Sequence, residues 1–184
     1  VQEGYNYGID YCQQGKVADY IPELAKGKKE QLGICITDLE GNQYFAGDVQ
    51  VKFTIQSIAK VVILATAIAD SGFETVFSRV GMEPTGDPFN SIVRLESLKR
   101  IPQNPMINAG AISTITCVTG KNLEERFLKV LNLARKLFHN PELDYDANVY
   151  LSELGTANRN RALAYMMKSN GVFDGDVEEH LKVY

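Results

Sequence analysis

The first regular pattern along the chain predicts a β-hairpin. Gln31–Thr37 (QLGICIT) mixes β-branched residues with leucine, which is typical of a strand. Leu39–Asn42 (LEGN) supplies turn residues, and Gln43–Ala46 (QYFA) returns as a second short strand. This order of strand, turn and strand predicts two antiparallel strands joined by a tight connection.

A long apolar run predicts a buried helix. Ser57–Ala69 (SIAKVVILATAIA) is apolar at nearly every position, and Ser71-Gly72 follows it as a helix stop. Periodicity alone does not separate a buried helix from a strand, but 13 residues are long for a strand. Because such a helix is apolar on almost every side, we expect it at the centre of the fold, covered all round.

The second half of the chain predicts two more helices. Leu123–Phe138 is amphipathic, and Asn122 with Glu125 resembles a capping box at its start. Its apolar stripe consists of Leu123, Phe127, Val130, Leu131, Ala134, Leu137 and Phe138. Arg161–Ser169 is the other helix, ended by Asn170-Gly171.

These elements indicate an α+β fold, since short strands come early and helices come later. The proline-bearing segments Gly81–Pro88 and Ile101–Pro105 are expected to be irregular loops. With 184 residues and no linker, repeat or low-complexity tract, the chain is expected to form one domain, residues 1–184.

Composition narrows the class of protein. A formal net charge of −4 argues against nucleic acid as the main partner, because phosphate binding needs a basic surface. Cys12, Cys35 and Cys117 form neither a disulfide framework nor a CxxC pair, which favours a reducing compartment. No signal peptide is visible, and the longest apolar run, Val61–Ala69, is far below the roughly 18 residues that span a bilayer. We therefore expect a cytoplasmic protein without a membrane partner.

The pattern S-x-x-K opens the apolar helix and is the sharpest candidate for chemistry. Ser57 and Lys60 lie three residues apart, so a helix places them on one face. An ammonium among apolar residues is costly, and burial lowers a lysine pKa, so a neutral Lys60 amine could take the proton of Ser57. The competing interpretation is a helix-capping serine beside a lysine that extends to the surface, and the pattern alone leaves both open.

Other polar residues give weaker indications. Asn108 lies beside small residues after a proline-rich loop, and the sequence alone favours an ordinary turn asparagine over a site residue. Glu153 and Asn160 flank Gly155, and both fit solvated surface. His139 and His180 have no metal-ligand spacing, so no metal site is expected, and no glycine pattern implies a nucleotide.

Several segments in order resemble one family. They are Gly15–Ala25 (GKVADYIPELA), Phe53–Lys60 (FTIQSIAK), Arg79–Asn90 (RVGMEPTGDPFN), Asn104–Ala111 (NPMINAGA) and Ser152–Asn160 (SELGTANRN). Together they resemble the serine-dependent glutaminases, relatives of the β-lactamases and penicillin-binding proteins that share the S-x-x-K nucleophile. The resemblance extends from about Gly15 to the last residue, and the combination is far more specific than any single motif.

This resemblance implies an activity, a fold and a set of site residues. The family hydrolyses L-glutamine to L-glutamate and ammonia through a serine acyl-enzyme, with neither metal nor organic cofactor. The implied fold is β-lactamase/transpeptidase-like, an antiparallel sheet with a helical cluster, and the implied assembly is a homodimer or homotetramer. Ser57 matches the nucleophile and Lys60 its general base. The positions that match substrate-binding residues are Tyr20, Asn108, Glu153, Asn160 and Tyr184, alongside Ser57 itself.

The sequence departs from the family pattern at its end. Family members continue with further strands, a second active-site tyrosine and a lysine-led glycine segment that completes the oxyanion hole, and neither this segment nor S-D-N occurs here. We therefore expect a catalytic domain truncated at its C-terminal end, with an incomplete sheet. Two alternatives remain open: a penicillin-recognising serine acyl-transferase or hydrolase, and a non-catalytic amino-acid-binding protein.

Overall fold

A computed structural model describes residues 1–86, 88 and 101–184. The described residues form two compact units. The first unit is Val1–Thr54 with Asp146–Thr156, and the second unit is Ile55–Tyr145 with Ala157–Tyr184. Compact units are not necessarily independent domains, so the single domain stays a prediction.

The described chain is rich in helix and carries two strands. Its helices are α1 (Gln2–Ile9), α2 (Ala59–Ser71), α3 (Phe73–Arg79), α4 (Asn108–Ile115), α5 (Leu123–Leu137), α6 (Ala147–Thr156), α7 (Asn158–Ser169) and α8 (Val177–Val183). The strands are β1 (Gly33–Thr37) and β2 (Gln43–Gly47). Three short 3₁₀ helices cover Asp10–Gln14, Pro22–Lys26 and Gln56–Ile58. Among the described residues, no helix combines the length and apolar character needed to cross a membrane.

The predicted hairpin is confirmed in the first unit. Strands β1 and β2 pair antiparallel, with Gly33 opposite Gly47 and Thr37 opposite Gln43. Asp38 closes the turn, since its Oδ1 accepts the backbone N–H of Asn42 at 2.8 Å. The first strand begins at Gly33 rather than at the predicted Gln31.

The apolar run forms α2, which begins two residues later than predicted. The helix ends at Ser71, where Gly72 adopts a φ of 80° and donates its N–H to the carbonyl of Ile68. The expectation that α2 is covered all round is wrong for the described part of the chain, because the side chain of Val61 is 56% exposed. Helices α3, α4 and α5 pack against α2 and bury the side that carries Val62, Ile63 and Ala67.

Helices α5 and α7 confirm the two later predictions. Asn122 caps α5 by accepting the N–H of Glu125 at 2.8 Å, and the Glu125 carboxylate accepts the N–H of Lys121 at 3.0 Å. The predicted stripe is buried at Leu131 and Ala134 but exposed at Leu137 and Phe138, its C-terminal end. Helix α7 begins three residues earlier than predicted, at Asn158, and ends as predicted before Asn170-Gly171.

The two proline-bearing segments are irregular where they are described, as predicted, and two backbone hydrogen bonds join them. Gly81 N–H donates to Pro102 O at 2.8 Å, and Glu83 N–H donates to Gln103 O at 2.9 Å. The part of the Arg79–Asn90 motif at Asp87, Phe89 and Asn90 lies outside the described residues.

The second unit holds two hydrophobic clusters, and α4 contributes to both. One cluster gathers residues of α4, α7 and α8 with the segment between the last two: Ala109, Ile112, Leu163, Ala164, Met167, Val172, Phe173, Val177 and Leu181. The other joins α2, α3, α4 and α8: Ile63, Ala67, Val76, Val80, Ile115, Cys117, Val118 and Val183. Helix α4 is therefore central to this unit, and every residue from Ala109 to Ile115 is buried.

Candidate active site

Ser57 lies in a strained turn immediately before α2. The 3₁₀ helix Gln56–Ile58 is closed by a hydrogen bond from Ile58 N–H to Ile55 O at 3.0 Å. Gln56 has a φ of 44°, a left-handed conformation that costs a non-glycine residue about 1–3 kcal/mol. Strain of this kind is concentrated at functional sites, and here it presents an exposed Ser57 side chain. No sequence signal marked Gln56, since glutamine has no special preference for positive φ.

Lys60 is buried in the first turn of α2. Only 3% of the residue is exposed, so its side chain does not extend to the surface. Its Nζ donates to Asn108 Oδ1 at 2.7 Å. Ser57 caps neither helix, because the N-cap positions are Ile55 for the 3₁₀ helix and Ile58 for α2. The interpretation as a capping serine with a surface lysine therefore fails on both residues.

Asn108 extends this contact to Asn160. Its Nδ2 donates to Asn160 Oδ1 at 3.1 Å, which joins the first residue of α4 to α7. Because the Lys60 amine donates to its oxygen, the Asn108 side chain turns its nitrogen to Asn160. The hydrogen bonds therefore run in one direction, from Lys60 to Asn108 and from Asn108 to Asn160. The last group of the series is Asn160 Nδ2, a neutral donor suited to a carboxylate.

The N-A-G-A sequence is explained by the close approach of a loop to α4. A Cβ at Gly110 would overlap the carbonyl oxygen of Asn104, so only glycine fits. The Asn104 side chain is fixed in turn, since its Oδ1 accepts the N–H groups of Met106 and Ile107 at 3.0 and 3.3 Å. This packing sets where α4 begins and hence where Asn108 lies.

Replacing Gly110 by alanine is expected to lower the free energy of unfolding by about 2–3 kcal/mol, because the overlap is with backbone rather than with a flexible side chain. Chemical denaturation of the full-length protein measures the change. Gly155→Ala is the matched control: an added Cβ meets nothing within 4 Å in helix α6, so stability should hold or rise by up to about 1 kcal/mol. Unchanged stability of the Gly110 variant would contradict this account of the motif.

Tyr184 follows helix α8 in the second unit. Its backbone N–H donates to His180 O at 3.0 Å, and its ring packs against both hydrophobic clusters. The second unit therefore carries Ser57, Lys60, Asn108, Asn160 and Tyr184, and two hydrogen bonds join Lys60, Asn108 and Asn160.

Tyr20 and Glu153 belong to the first unit. Tyr20 is 64% exposed and precedes the 3₁₀ helix Pro22–Lys26, and Glu153 is partly buried on α6. A hydrogen bond from Glu23 N–H to Ser152 Oγ, 3.1 Å long, connects these two segments of the unit. In the described ranges, no group of three or more His, Cys, Asp or Glu side chains could hold a metal ion.

Comparisons with known proteins point to one family. The family model described as "Glutaminase" matches residues 15–184. Over 175 residues, a glutaminase of Clostridium botulinum is 54% identical and glutaminase 2 of Clostridium perfringens is 52% identical. Each alignment covers 95% of this chain and 57% of the relative, so the chain spans little more than half of these relatives' length.

The fold is also similar to that of a solved glutaminase structure. A probable glutaminase from Bacillus subtilis, complexed with 6-diazo-5-oxo-L-norleucine, superposes with a TM-score of 0.84 at 35% identity. The match covers 97% of this chain and 53% of that one. The predicted fold class, α+β and β-lactamase-like, is therefore confirmed. With the family model matching nearly its whole length, the chain belongs to the glutaminase family.

Proposed function

We propose that the full-length protein hydrolyses L-glutamine to L-glutamate and ammonia through an acyl-enzyme on Ser57. The observation that carries this proposal is the buried Lys60 amine, three residues after an exposed serine and hydrogen-bonded to Asn108. Membership in the glutaminase family supports the choice of substrate. Because the chain spans 57% of its relatives' length, the proposal concerns the full-length protein.

In the proposed acylation step, Ser57 Oγ attacks the side-chain carboxamide carbon while its proton passes to a neutral Lys60. A neutral amine keeps two N–H bonds and one lone pair, so Lys60 can hold Asn108 Oδ1 and still accept this proton. The backbone N–H of Ser57, at the start of a helical turn, is assigned to the oxyanion hole.

The remaining steps restore the enzyme. The tetrahedral intermediate collapses, the C–N bond breaks, and protonated Lys60 returns its proton to the departing ammonia. Water then attacks the γ-glutamyl ester while Lys60 accepts one of its protons. The ester bond breaks, glutamate is released, and Lys60 returns the proton to Ser57 Oγ, which restores the hydroxyl and the neutral amine.

Recognition of the amino-acid end of glutamine is assigned to polar side chains that match the family's substrate-binding positions. Asn160 supplies a neutral donor, and Asn108 holds the Asn160 side chain by donating to its Oδ1. For Tyr20, Glu153 and Tyr184 the assignment rests on the match of their motifs to the family. Glu153 would accept from the α-ammonium group, since a carboxylate is the natural partner of a cation. Polar groups left unpaired by the wrong ligand would give the pocket its selectivity.

Ammonia release from L-glutamine by the full-length protein tests the proposal, and L-asparagine, one methylene shorter, is the matched substrate control. Calorimetry with glutamine and incubation with a labelled penicillin complete the experiment. Ammonia release without stable penicillin labelling is the expected result. Glutamine binding without ammonia would favour the non-catalytic amino-acid-binding protein, and stable labelling of Ser57 without ammonia would favour the penicillin-recognising enzyme.

We also propose a cytoplasmic location and assembly into a homodimer or homotetramer. The location is supported by three cysteines that are all free thiols, which suits a reducing compartment. The assembly is supported by analogy with the family alone.

A further inference from the structure

Arg126 caps the C-terminal end of α4 from inside the core. The residue lies on α5 and is 8% exposed. Its Nη2 donates to Ile115 O at 3.0 Å and its Nε donates to Val118 O at 2.9 Å. Carbonyls at the end of a helix lack partners within the helix, so a guanidinium with several donors suits this position.

His180 completes the same cluster from helix α8. It is 9% exposed, with its Nδ1 3.0 Å from Arg126 Nη2 and its Nε2 2.9 Å from the carbonyl of Asp174. Because a guanidinium only donates, Nδ1 must accept and Nε2 must carry the proton, which defines a neutral imidazole. Burial lowers the pKa of His180, and the charge of Arg126 lowers it further, while Glu179 and Asp176 act in the opposite direction.

The backbone leaves room for this pair. A Cβ at Gly175, where φ is +96°, would lie 2.9 Å from His180 Nε2. A Cβ at Gly120 would lie 2.7 Å from Arg126 Cγ. Two glycines from different segments thus border the Arg126 and His180 side chains closely.

The pair connects the helices that carry two of the proposed substrate-binding residues. Helix α4 begins at Asn108 and ends at the carbonyls held by Arg126. Helix α8 carries His180, whose carbonyl accepts the N–H of Tyr184 one turn later. The Arg126–His180 hydrogen bond therefore links α8 to the C-terminal end of α4 and orients the two helices relative to each other.

We propose that Arg126 and His180 are positioning residues that hold Tyr184 at the substrate site relative to Asn108. This inference rests on the proposed function, because the contact of Tyr184 with glutamine is part of it. A buried cation alone is weak evidence for stability, since apolar replacements often serve a core as well. By contrast, the directional hydrogen bond between Arg126 on α5 and His180 on α8 defines how these two helices are oriented.

The test is a double-mutant cycle on the full-length protein, with KM and kcat for L-glutamine as readouts. His180→Gln can keep the donor to Asp174 O but loses the acceptor for Arg126. We expect it to raise KM about tenfold in the native background, with kcat less affected, and less than about twofold in the Tyr184→Phe background. His180→Asn, whose Oδ1 can replace Nδ1 as the acceptor, is expected to restore a KM close to that of the native protein.

Lys129→Met is the matched control on the same helix. Lys129 follows Arg126 by one turn and pairs with Asp70 at 2.7 Å, so its removal weakens α5 without touching α8. It is expected to leave KM unchanged in both backgrounds. Thermal unfolding of every variant shows which ones are folded. If His180→Gln is unstable, Arg126→Lys, which keeps the charge but loses the planar fork of donors, takes its place in the cycle with the same expected KM effects.

Equal KM effects of His180→Gln in both Tyr184 backgrounds would overturn the inference, and so would failure of His180→Asn to restore KM. If the native protein binds glutamine without releasing ammonia, the proposed hydrolysis fails, and the same cycle is measured by the Kd for glutamine. If ammonia is released and the cycle is additive, the inference fails alone.

Discussion

Replacing Lys60 by methionine is expected to lower kcat for glutamine hydrolysis by at least about 10³-fold. Methionine fills nearly the same buried volume but has no lone pair able to accept the proton of Ser57, and general-base catalysis typically contributes 10²–10⁴-fold. The variant also leaves Asn108 Oδ1 without its donor, at a cost of about 1–3 kcal/mol. Steady-state ammonia release measures the first effect and thermal unfolding the second.

Lys60→Arg separates proton transfer from charge. Arginine keeps a cation and several donors but cannot be deprotonated, so it should be as inactive as methionine if Lys60 is the base. Lys52→Met, a change of an exposed lysine before the same helix, should leave kcat unaltered. Substantial activity of Lys60→Arg would assign to Lys60 an electrostatic role in place of proton transfer.

Ser57→Ala is expected to reduce kcat by at least about 10⁴-fold, since the acyl-enzyme cannot form without Oγ. Ser57 is exposed and caps no helix, so the free energy of unfolding should change by less than about 0.5 kcal/mol. Glutamine binding measured by calorimetry should persist, because the amino-acid end of the substrate is held by other residues.

The proposed mechanism makes Ser57 and Lys60 act as one unit, which provides an internal check. The double variant Ser57→Ala with Lys60→Met should be no slower than Ser57→Ala alone. Ser78→Ala is the control, since its exposed hydroxyl bonds only locally, to Thr75 O at 2.8 Å. Additive losses in the double variant would show that the two residues serve separate steps.

Local patterns predicted the elements that depend on local interactions. The hairpin, α5 with its Asn122 cap, and α7 with its Asn170-Gly171 end all follow from periodicity and from capping or turn chemistry near each element. The sequence did not predict the exposure of Val61 on α2. An apolar run indicates which side chains a helix can bury, but not which other elements pack against that helix.

The site was predicted only in part, for a similar reason. Spacing made Ser57 and Lys60 candidates, whereas Asn108 and Asn160 were ambiguous until the family resemblance singled them out. The hydrogen bonds that join them bridge 48 and 52 residues of sequence, so no local pattern could reveal the pairing or its polarity. The positive φ of Gln56 and the Arg126–His180 pair are equally products of the tertiary structure.

The burial of α4 from Ala109 to Ile115 ties assembly of the site to cooperative folding. Its sequence, NAGAISTI, combines glycine, serine, threonine and isoleucine in eight residues, too short and too poor in helix formers to persist in water alone. Among the described elements, docking against α2, α3, α7 and α8 stabilises it. The contact between Asn108 and Lys60 therefore depends on the packed core around α4, and a change that loosens this core should also separate the two side chains.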